Sequence, residues 1–226
     1  YYNRYLNTFE YHAKKNNIEY DERTPFEFYS DYKKKFKNAV ISLPPYVSHH
    51  QNLLQPLGGI SNRNTAFCNE GGYYSYYKSD RYGFNNPDKE WDKENTVILI
   101  GDSFTHGKCV FEKDTISGNL RKLIGTKTLG IINLGQTGNG PLTELASYIE
   151  YKDKLNPIII VWLYFEGNDL DDLEKEINVP ILKKYLSEKN FSQNLTSKQE
   201  KIDNLLSKVL EKQIENVVEK GKCEQE

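Results

Sequence analysis

Three apolar runs between residues 97 and 163 each end in a short polar loop. The runs span residues 97–100, 129–134 and 158–163, and all of them are rich in Val, Ile and Leu. Unbroken apolar runs of this length are typical of strands that are buried on both faces of a parallel sheet. Helix-like segments separate the runs, so the pattern predicts a βαβαβ unit in an α/β fold.

The loops after these runs carry groups that suit acyl chemistry. In open α/β sheets, ligands bind in the crevice at the carboxyl ends of the strands. A serine nucleophile needs oxyanion donors beside it, and backbone N–H groups and Asn side chains are common donors. The loops therefore predict a site built on Ser103, Gly138 and Asn168. Their sequences are Gly101-Asp102-Ser103, Gly135-Gln136-Thr137-Gly138 and Gly167-Asn168-Asp169.

Each loop also has a simpler interpretation. Ser103 or its neighbour Asp102 can cap the next helix, and the segments around Gly138 and Asn168 can be ordinary turns. Ser103 does not lie in a GxSxG elbow, because Thr105 occupies the last position of that pattern. A phosphate loop of the GxxxxGK[ST] type is absent, which disfavours a nucleotide binder. The order of the loops, each after its own strand, favours a site.

The chain resembles the SGNH (GDSL-type) esterases and acyltransferases over about residues 95–172. Residues 101–107, 133–140 and 167–169 are similar to the first three sequence blocks of that family. The resemblance implies a three-layer, flavodoxin-like core with a parallel sheet and no metal or organic cofactor. It also implies that Ser103 is the nucleophile, and that the Ser103 amide, the Gly138 amide and the Asn168 side chain form the oxyanion hole.

The activity that the resemblance implies is ester hydrolysis or O-acyl transfer through an acyl-Ser intermediate. The substrate would be a small-molecule ester, an O-acylated glycan or a lipid ester. The alternative is a carbohydrate-binding or scaffold module on a catalytically inactive core of the same kind. The formal net charge is −2, from 30 basic and 32 acidic residues, and no basic stripe is present, which argues against a nucleic-acid partner.

The fourth block of the family, Asp-x-x-His, is not found, because no histidine follows His106. A serine without a base is a weak nucleophile at neutral pH. We expect the chain to be truncated before this block, which would then follow Glu226. Two alternatives stay open. The base could lie elsewhere in the chain, with His106, His49 and His50 as candidates, or the site could bind without turnover.

Residues 1–94 are predicted to form an aromatic-rich extension that packs on a core of residues 95–226. The chain has 17 Tyr and 10 Phe, concentrated before residue 95, and Pro and Gly interrupt this region often. An independent apolar core is therefore not expected there. The chain has no Met, so we interpret it as a fragment or a processed product, with any signal peptide or membrane anchor before residue 1.

Capping and periodicity signals place the helices. Thr24 followed by Pro25 and Glu27 indicates a helix start, and residues 5–16 are also helix-like. Further helices are predicted over 115–123 after an Asp114 cap, over 141–154, over 170–177 and over 197–220.

The cysteines Cys68, Cys109 and Cys223 lack the spacing of a zinc site. Cys68 and Cys109 lie near predicted strand ends, and they either form a disulfide or stay as buried thiols. A disulfide would tie the extension to the loop after Ser103. It would also suggest a periplasmic or extracellular location, which the sequence otherwise leaves open.

Overall fold

A computed structural model describes residues 11, 13–17, 19–44, 54–125 and 128–223, without the side chains of residues 219–223. His49, His50 and most of the helix expected over residues 5–16 lie outside these ranges. The helices and strands are, in chain order, α1 (Pro25–Lys35), β1 (Ala39–Ile41), β2 (Asn64–Ala66), β3 (Tyr76–Lys78), β4 (Asn95–Gly101), α2 (Ser103–His106), α3 (Ile116–Ile124), β5 (Leu129–Asn133), α4 (Pro141–Tyr151), β6 (Pro157–Leu163), α5 (Asp169–Glu176), α6 (Pro180–Ser187) and α7 (Gln199–Cys223).

The main sheet contains the three predicted strands in the order β5-β4-β6, and all three are parallel. Leu99 of β4 pairs with Asn133 at the end of β5, and Gly101 pairs with Leu163 at the end of β6. The predicted α/β fold with a parallel sheet is therefore confirmed. The three loops that carry the candidate residues therefore leave the sheet at the same end, where the carboxyl ends of the parallel strands lie.

Alternating side chains of β4 and β5 enter two apolar cores, one on each face of the sheet. Ile98 and Ile132 pack on the face that α4 covers, in a cluster with Leu142. Val97 and Ile131 belong to the opposite cluster, against which Leu120 of α3 packs, among other side chains. Strands β4 and β5 are thus buried on both faces, as their apolar runs predict.

Strand β6 departs from the expectation that all three runs are buried. Ile159 is 52% exposed and Trp162 is 50% exposed, and Ile158 and Ile160 are exposed as well. An edge position alone does not explain this exposure, because β5 is also an edge strand and is buried. Helix α4 packs on β4 and α3 packs on β5, whereas no helix of the described residues packs on β6 to a similar extent. An apolar run shows that a strand is hydrophobic, but it does not show whether other elements cover its two faces.

The extension shares its packing with the α/β unit. Leu57 and Phe84 are fully buried and lie in the same cluster as Ile98 and Leu142. A second, small sheet of order β1-β2-β3 joins parallel and antiparallel pairs, and α1 packs on it through aromatic rings such as Phe28, whose ring stacks on Tyr74 at 4.3 Å between centroids. That residues 1–94 have no stability of their own stays a prediction.

Asp80 organises the link between the extension and the main sheet. The fully buried carboxylate accepts hydrogen bonds from the Phe84 backbone N–H at 2.9 Å, from Asn86 Nδ2 at 2.8 Å and from Trp91 Nε1 at 2.7 Å. Burial raises the pKa of Asp80 to about 6, and the hydrogen bonds partly offset this rise. Trp91 is thereby fixed against the core just before β4 begins.

The helix starts follow the sequence signals in part. A capping box at α1 is confirmed, because Thr24 accepts from the Glu27 N–H and the Glu27 side chain accepts from the Thr24 N–H. The Asp114 cap is wrong, because Thr115 is the cap of α3 and its Oγ1 accepts from the Gly118 N–H at 2.9 Å. Helix α6, which begins at Pro180, was not expected. Across the described ranges, no helix combines the length and the apolar character needed to cross a membrane.

Candidate active site

Ser103 lies two residues after the end of β4, where it begins the short helix α2. Asp102 caps this helix, since its Oδ1 accepts a hydrogen bond from the Phe104 N–H at 2.9 Å. Ser103 is half-buried, and its Oγ donates to Asp102 Oδ2 at 3.3 Å. The simpler interpretation of this turn is therefore confirmed in one respect, because Asp102 does cap a helix. It does not compete with a chemical role for Ser103, because the cap is the neighbouring residue.

Asn133 connects α2, the helix that begins at Ser103, to the loop of residues 135–140 after β5, which we call the glycine loop. Its Nδ2 donates to the Thr105 carbonyl at 2.6 Å, and its Oδ1 accepts from the Gly135 N–H at 2.8 Å. Asn86 clamps the backbone of the same residue, because it donates to the Asn133 carbonyl and accepts from the Asn133 N–H, both at 2.9 Å. This network holds the end of β5 beside α2.

The glycine loop turns sharply at its tip. The Asn139 N–H donates to the Gln136 carbonyl at 3.2 Å, and Gly138 has a φ of 84°. A left-handed φ of this kind favours glycine over residues that carry a Cβ. Gly138 is exposed, whereas Gln136 and Asn139 are buried on either side of the tip. The loop therefore presents glycine backbone at the carboxyl edge of the sheet.

His106 holds this loop in place. Its ring is fully buried, and Nδ1 accepts a hydrogen bond from the Thr137 N–H at 3.1 Å. Nε2 lies 3.2 Å from the hydroxyl of Tyr77, and the ring packs on Phe67 at 4.5 Å between centroids. Burial lowers the pKa of His106 to about 3, so the ring is neutral at physiological pH.

His106 is thereby unsuited to the role of base that its distance of three residues from Ser103 suggested. Both ring nitrogens have partners in the protein, and both point into packed surroundings. A helix spacing places two residues on one face, but it does not give the rotamer of a side chain. The other two candidates, His49 and His50, lie outside the described residues.

Asn168 is held by the helix that follows it. Its Nδ2 donates to Asp172 Oδ2 at 2.8 Å, and this uses one of the two N–H groups of the amide. The adjacent Asp169 is fully buried, and its Oδ2 accepts from the Phe165 N–H at 2.6 Å. The loop touches the Ser103 helix through the rings of Phe104 and Phe165, whose centroids are 4.8 Å apart. The oxyanion hole of Ser103, Gly138 and Asn168 stays a prediction.

Two buried glutamates support the same end of the sheet, and sequence reasoning missed both. Glu176 accepts from the Gly140 N–H at 2.7 Å and from the Leu142 N–H at 2.9 Å, so it caps the start of α4. Glu144 accepts from Trp162 Nε1 at 2.6 Å. Burial raises the pKa of Glu144 to about 8, and nearby carboxylates such as Asp169 raise it further. Glu144 is therefore mainly protonated at neutral pH.

Buried polar atoms without a partner are concentrated near these loops. Among the described residues, both amide atoms of Asn139, Oε1 of Glu144 and Oδ1 of Asp169 have no hydrogen-bond partner. Most buried polar groups in proteins are paired, so each exception calls for a reason, and a functional site is one such reason. Within the described ranges, no three His, Cys, Asp or Glu side chains are grouped so that they could hold a metal ion.

A disulfide joins Cys68 to Cys109, with 4.7 Å between the Cα atoms. The alternative of two buried thiols is thereby excluded, and the predicted approach of these residues is confirmed. The bond links the loop after β2 to the segment after α2, three residues beyond His106. An ion pair between Lys108 and Glu70, at 2.8 Å, joins the same two segments. The extension thus anchors the loop that follows Ser103.

No family model matches this chain, and comparisons with curated proteins and with solved structures likewise find no match.

Proposed function

We propose that Ser103 is the nucleophile of a serine ester hydrolase or O-acyltransferase with an SGNH-type, flavodoxin-like core. The observation that carries this proposal is that three loops with suitable residues all follow the carboxyl ends of neighbouring parallel strands. Ser103 follows the central strand, the loop of Gly138 follows one neighbour and Asn168 follows the other. Ligands bind at these carboxyl ends in open α/β folds.

In the proposed reaction, Ser103 Oγ attacks the carbonyl carbon of an ester. The negative charge that develops on the carbonyl oxygen is stabilised by the Ser103 and Gly138 amides and by the second N–H of Asn168 Nδ2. The bond to the alcohol oxygen then breaks and leaves an acyl group on Oγ. Water completes hydrolysis, and another hydroxyl, such as that of a sugar, completes transfer.

The proton of Ser103 needs an acceptor, and the described residues supply no histidine for this step. His106, the only histidine in the described ranges, is buried with both nitrogens in use. We therefore propose that the base comes from outside the described residues. A chain without it retains only the acceleration due to the oxyanion hole and to binding, about 10³–10⁴-fold over water.

Hydrolysis of an aryl acetate tests this proposal, with and without imidazole in the buffer. If a serine nucleophile lacks its base, imidazole should accept the proton and raise the rate of the native chain. Ser103→Ala should abolish this increase, whereas Ser187→Ala, which changes an exposed serine on α6, should preserve it. Equal rates for the native chain and Ser103→Ala would contradict a nucleophilic role.

The disulfide supports a location on the periplasmic or extracellular side, because disulfides persist in oxidising compartments. The second candidate function is a binding module on the same core, favoured by the absence of a free histidine among the described residues. Such a module would bind acylated glycans with an affinity that Ser103→Ala leaves unchanged, and it would show no imidazole-dependent turnover.

A further inference from the structure

Two phenylalanine rings near Ser103 are exposed to solvent. Phe104 is 59% exposed and Phe165 is 42% exposed. Their centroids are 4.8 Å apart and their planes are inclined by 55°, so the rings contact each other and form a shallow apolar wedge. We call these two side chains the Phe104–Phe165 pair.

The register of the sheet explains why the pair lies at this place. Gly101 of β4 pairs with Leu163 of β6. Both strands end at this pair, so the segments that carry Phe104 and Phe165 leave the sheet side by side. Phe104 is the residue directly after Ser103, so both rings belong to the immediate surroundings of the nucleophile.

The position of Phe165 is built into the loop. The Phe165 N–H donates to the buried Asp169 at 2.6 Å, which fixes the backbone. The ring covers Gly167, where an added Cβ would lie 2.5 Å from ring carbon Cε1. Gly167 is therefore needed for the ring to stay where it is. The ring is ordered by contacts on one side while its other side faces solvent.

Exposed aromatic carbon next to a nucleophile favours an apolar ligand group. Removing apolar surface from water stabilises a complex by roughly 25 cal/mol per Å². The pair offers no hydrogen-bond donor or acceptor for the hydroxyl groups of a sugar. Tyr164, directly before Phe165, and Leu170, in α5, are exposed as well.

We propose that the Phe104–Phe165 pair binds the acyl chain of the substrate, and that the preferred esters carry acyl chains of about four carbons or more. This inference rests on the proposed function of Ser103. It narrows the substrate to esters with a hydrophobic acyl group, in place of acetyl esters.

Alkyl fluorophosphonates test this proposal without the need for turnover. Ser103 Oγ bonds to phosphorus as the P–F bond breaks, fluoride leaves, and added imidazole accepts the Oγ proton. The alkyl group on phosphorus stands in for the acyl chain, while the leaving group stays constant. Mass spectrometry gives the rate of Ser103 labelling for methyl, butyl and hexyl probes.

For the native chain we expect the hexyl probe to react about tenfold faster than the methyl probe, because each buried CH₂ contributes up to about 0.8 kcal/mol. Phe165→Ala and Phe104→Ala should each reduce this preference to about twofold, chiefly by slowing the reaction of the hexyl probe. Leu123→Ala, which removes a side chain that is 82% exposed on α3, should keep the full preference.

Three outcomes would overturn the proposal. Equal rates for all chain lengths in the native chain would show that no acyl site exists. A preference that survives both Phe substitutions would place the acyl site elsewhere. If the methyl probe also fails to label Ser103, the proposed function itself is wrong, and the acyl site falls with it. Phe165→Leu serves as a second variant if Phe165→Ala does not fold, and it should retain part of the preference.

Discussion

The Nδ1 atom of His106 accepts a hydrogen bond from the backbone N–H of Thr137 at 3.1 Å, and this bond links the Ser103 helix to the loop of Gly138. A histidine three residues after a candidate nucleophile invites assignment as its base. The contacts show that it positions the neighbouring loop instead. Because Nδ1 accepts this bond, the neutral ring carries its proton on Nε2, where the proton can be donated to Tyr77.

Replacement of His106 should therefore loosen the glycine loop. We expect His106→Ala to lower the free energy of unfolding by about 2–4 kcal/mol, because it leaves a cavity and an unpaired Thr137 N–H. His106→Gln, which can offer an acceptor, should recover part of the loss. Chemical denaturation measures both. If His106→Ala is as stable as the native chain, the ring does not hold the loop.

The same residue should make the protein sensitive to acid. The pKa of His106 is about 3 in the folded state and about 6.5 when unfolded, so the unfolded chain binds the proton more readily. The stability due to neutral His106 is complete above pH 6.5, and it is lost as the pH falls toward 3. We expect a slope of up to about 1.4 kcal/mol per pH unit in this window, which His106→Gln should reduce. If His106→Gln leaves this slope unchanged, the acid sensitivity does not come from His106.

Glu144 should lower the stability of the protein as the pH rises, whereas His106 lowers it as the pH falls. Its pKa is raised to about 8 in the folded state, so the stability due to its protonated form is complete below pH 4.5 and is lost as the pH rises through 8. Glu144→Gln keeps an acceptor for Trp162 but cannot ionise. The stability of the variant relative to the native chain should therefore increase between pH 5 and pH 8, as measured by denaturant unfolding. A constant difference would show that Glu144 ionises normally.

Asp172 should affect reactivity through Asn168. Its Oδ2 accepts from Asn168 Nδ2 at 2.8 Å and so orients the amide. We expect Asp172→Ala to reduce the imidazole-dependent reactivity of Ser103 about tenfold, with a change in melting temperature of only a few degrees. Asp171→Ala alters an exposed carboxylate at the preceding position and should leave reactivity unchanged. If both variants reduced the reactivity of Ser103 equally, the cause would be the loss of a negative charge and not the loss of the bond that orients Asn168.

The disulfide should contribute measurably to stability. Cys68 and Cys109 are 41 residues apart in sequence, and closing a loop of this length stabilises the folded state by about 2–4 kcal/mol. Cys68→Ser with Cys109→Ser should therefore lower the melting temperature, and a reducing agent should do the same to the native chain. Cys223→Ser provides the matched control and should have no effect. Insensitivity to the reducing agent would contradict a structural bond.

The sequence was sufficient for the strands of the main sheet and for the placement of the site loops, because both follow from local patterns. Apolar runs mark β4, β5 and β6, and Gly, Ser and Asn mark the turns after them. The exposure of β6 is not predictable from its own residues, because it depends on which helices cover the faces of the strand. Pro180 was the available signal for α6, but a proline alone does not distinguish a helix start from a turn.

Long-range partners account for the rest of the differences. Glu144 and Trp162 are 18 residues apart, and His106 and Thr137 are 31 residues apart. No local pattern indicates such pairs. The sequence marks Asn133 only as the first residue of a block, whereas in the structure its side chain joins α2 to the loop after β5. Polar residues that end buried strands are therefore good candidates for such connections.

The most direct test of the central claim is the position at which a short fluorophosphonate modifies the protein. In the presence of imidazole, we predict a single modification, at Ser103, in the native chain. Asn168→Ala should slow it about tenfold or more through loss of an oxyanion donor, and Ser103→Ala should remove it. Modification at other serines at the same rate, or an undiminished yield in Ser103→Ala, would contradict the assignment of Ser103 as the nucleophile.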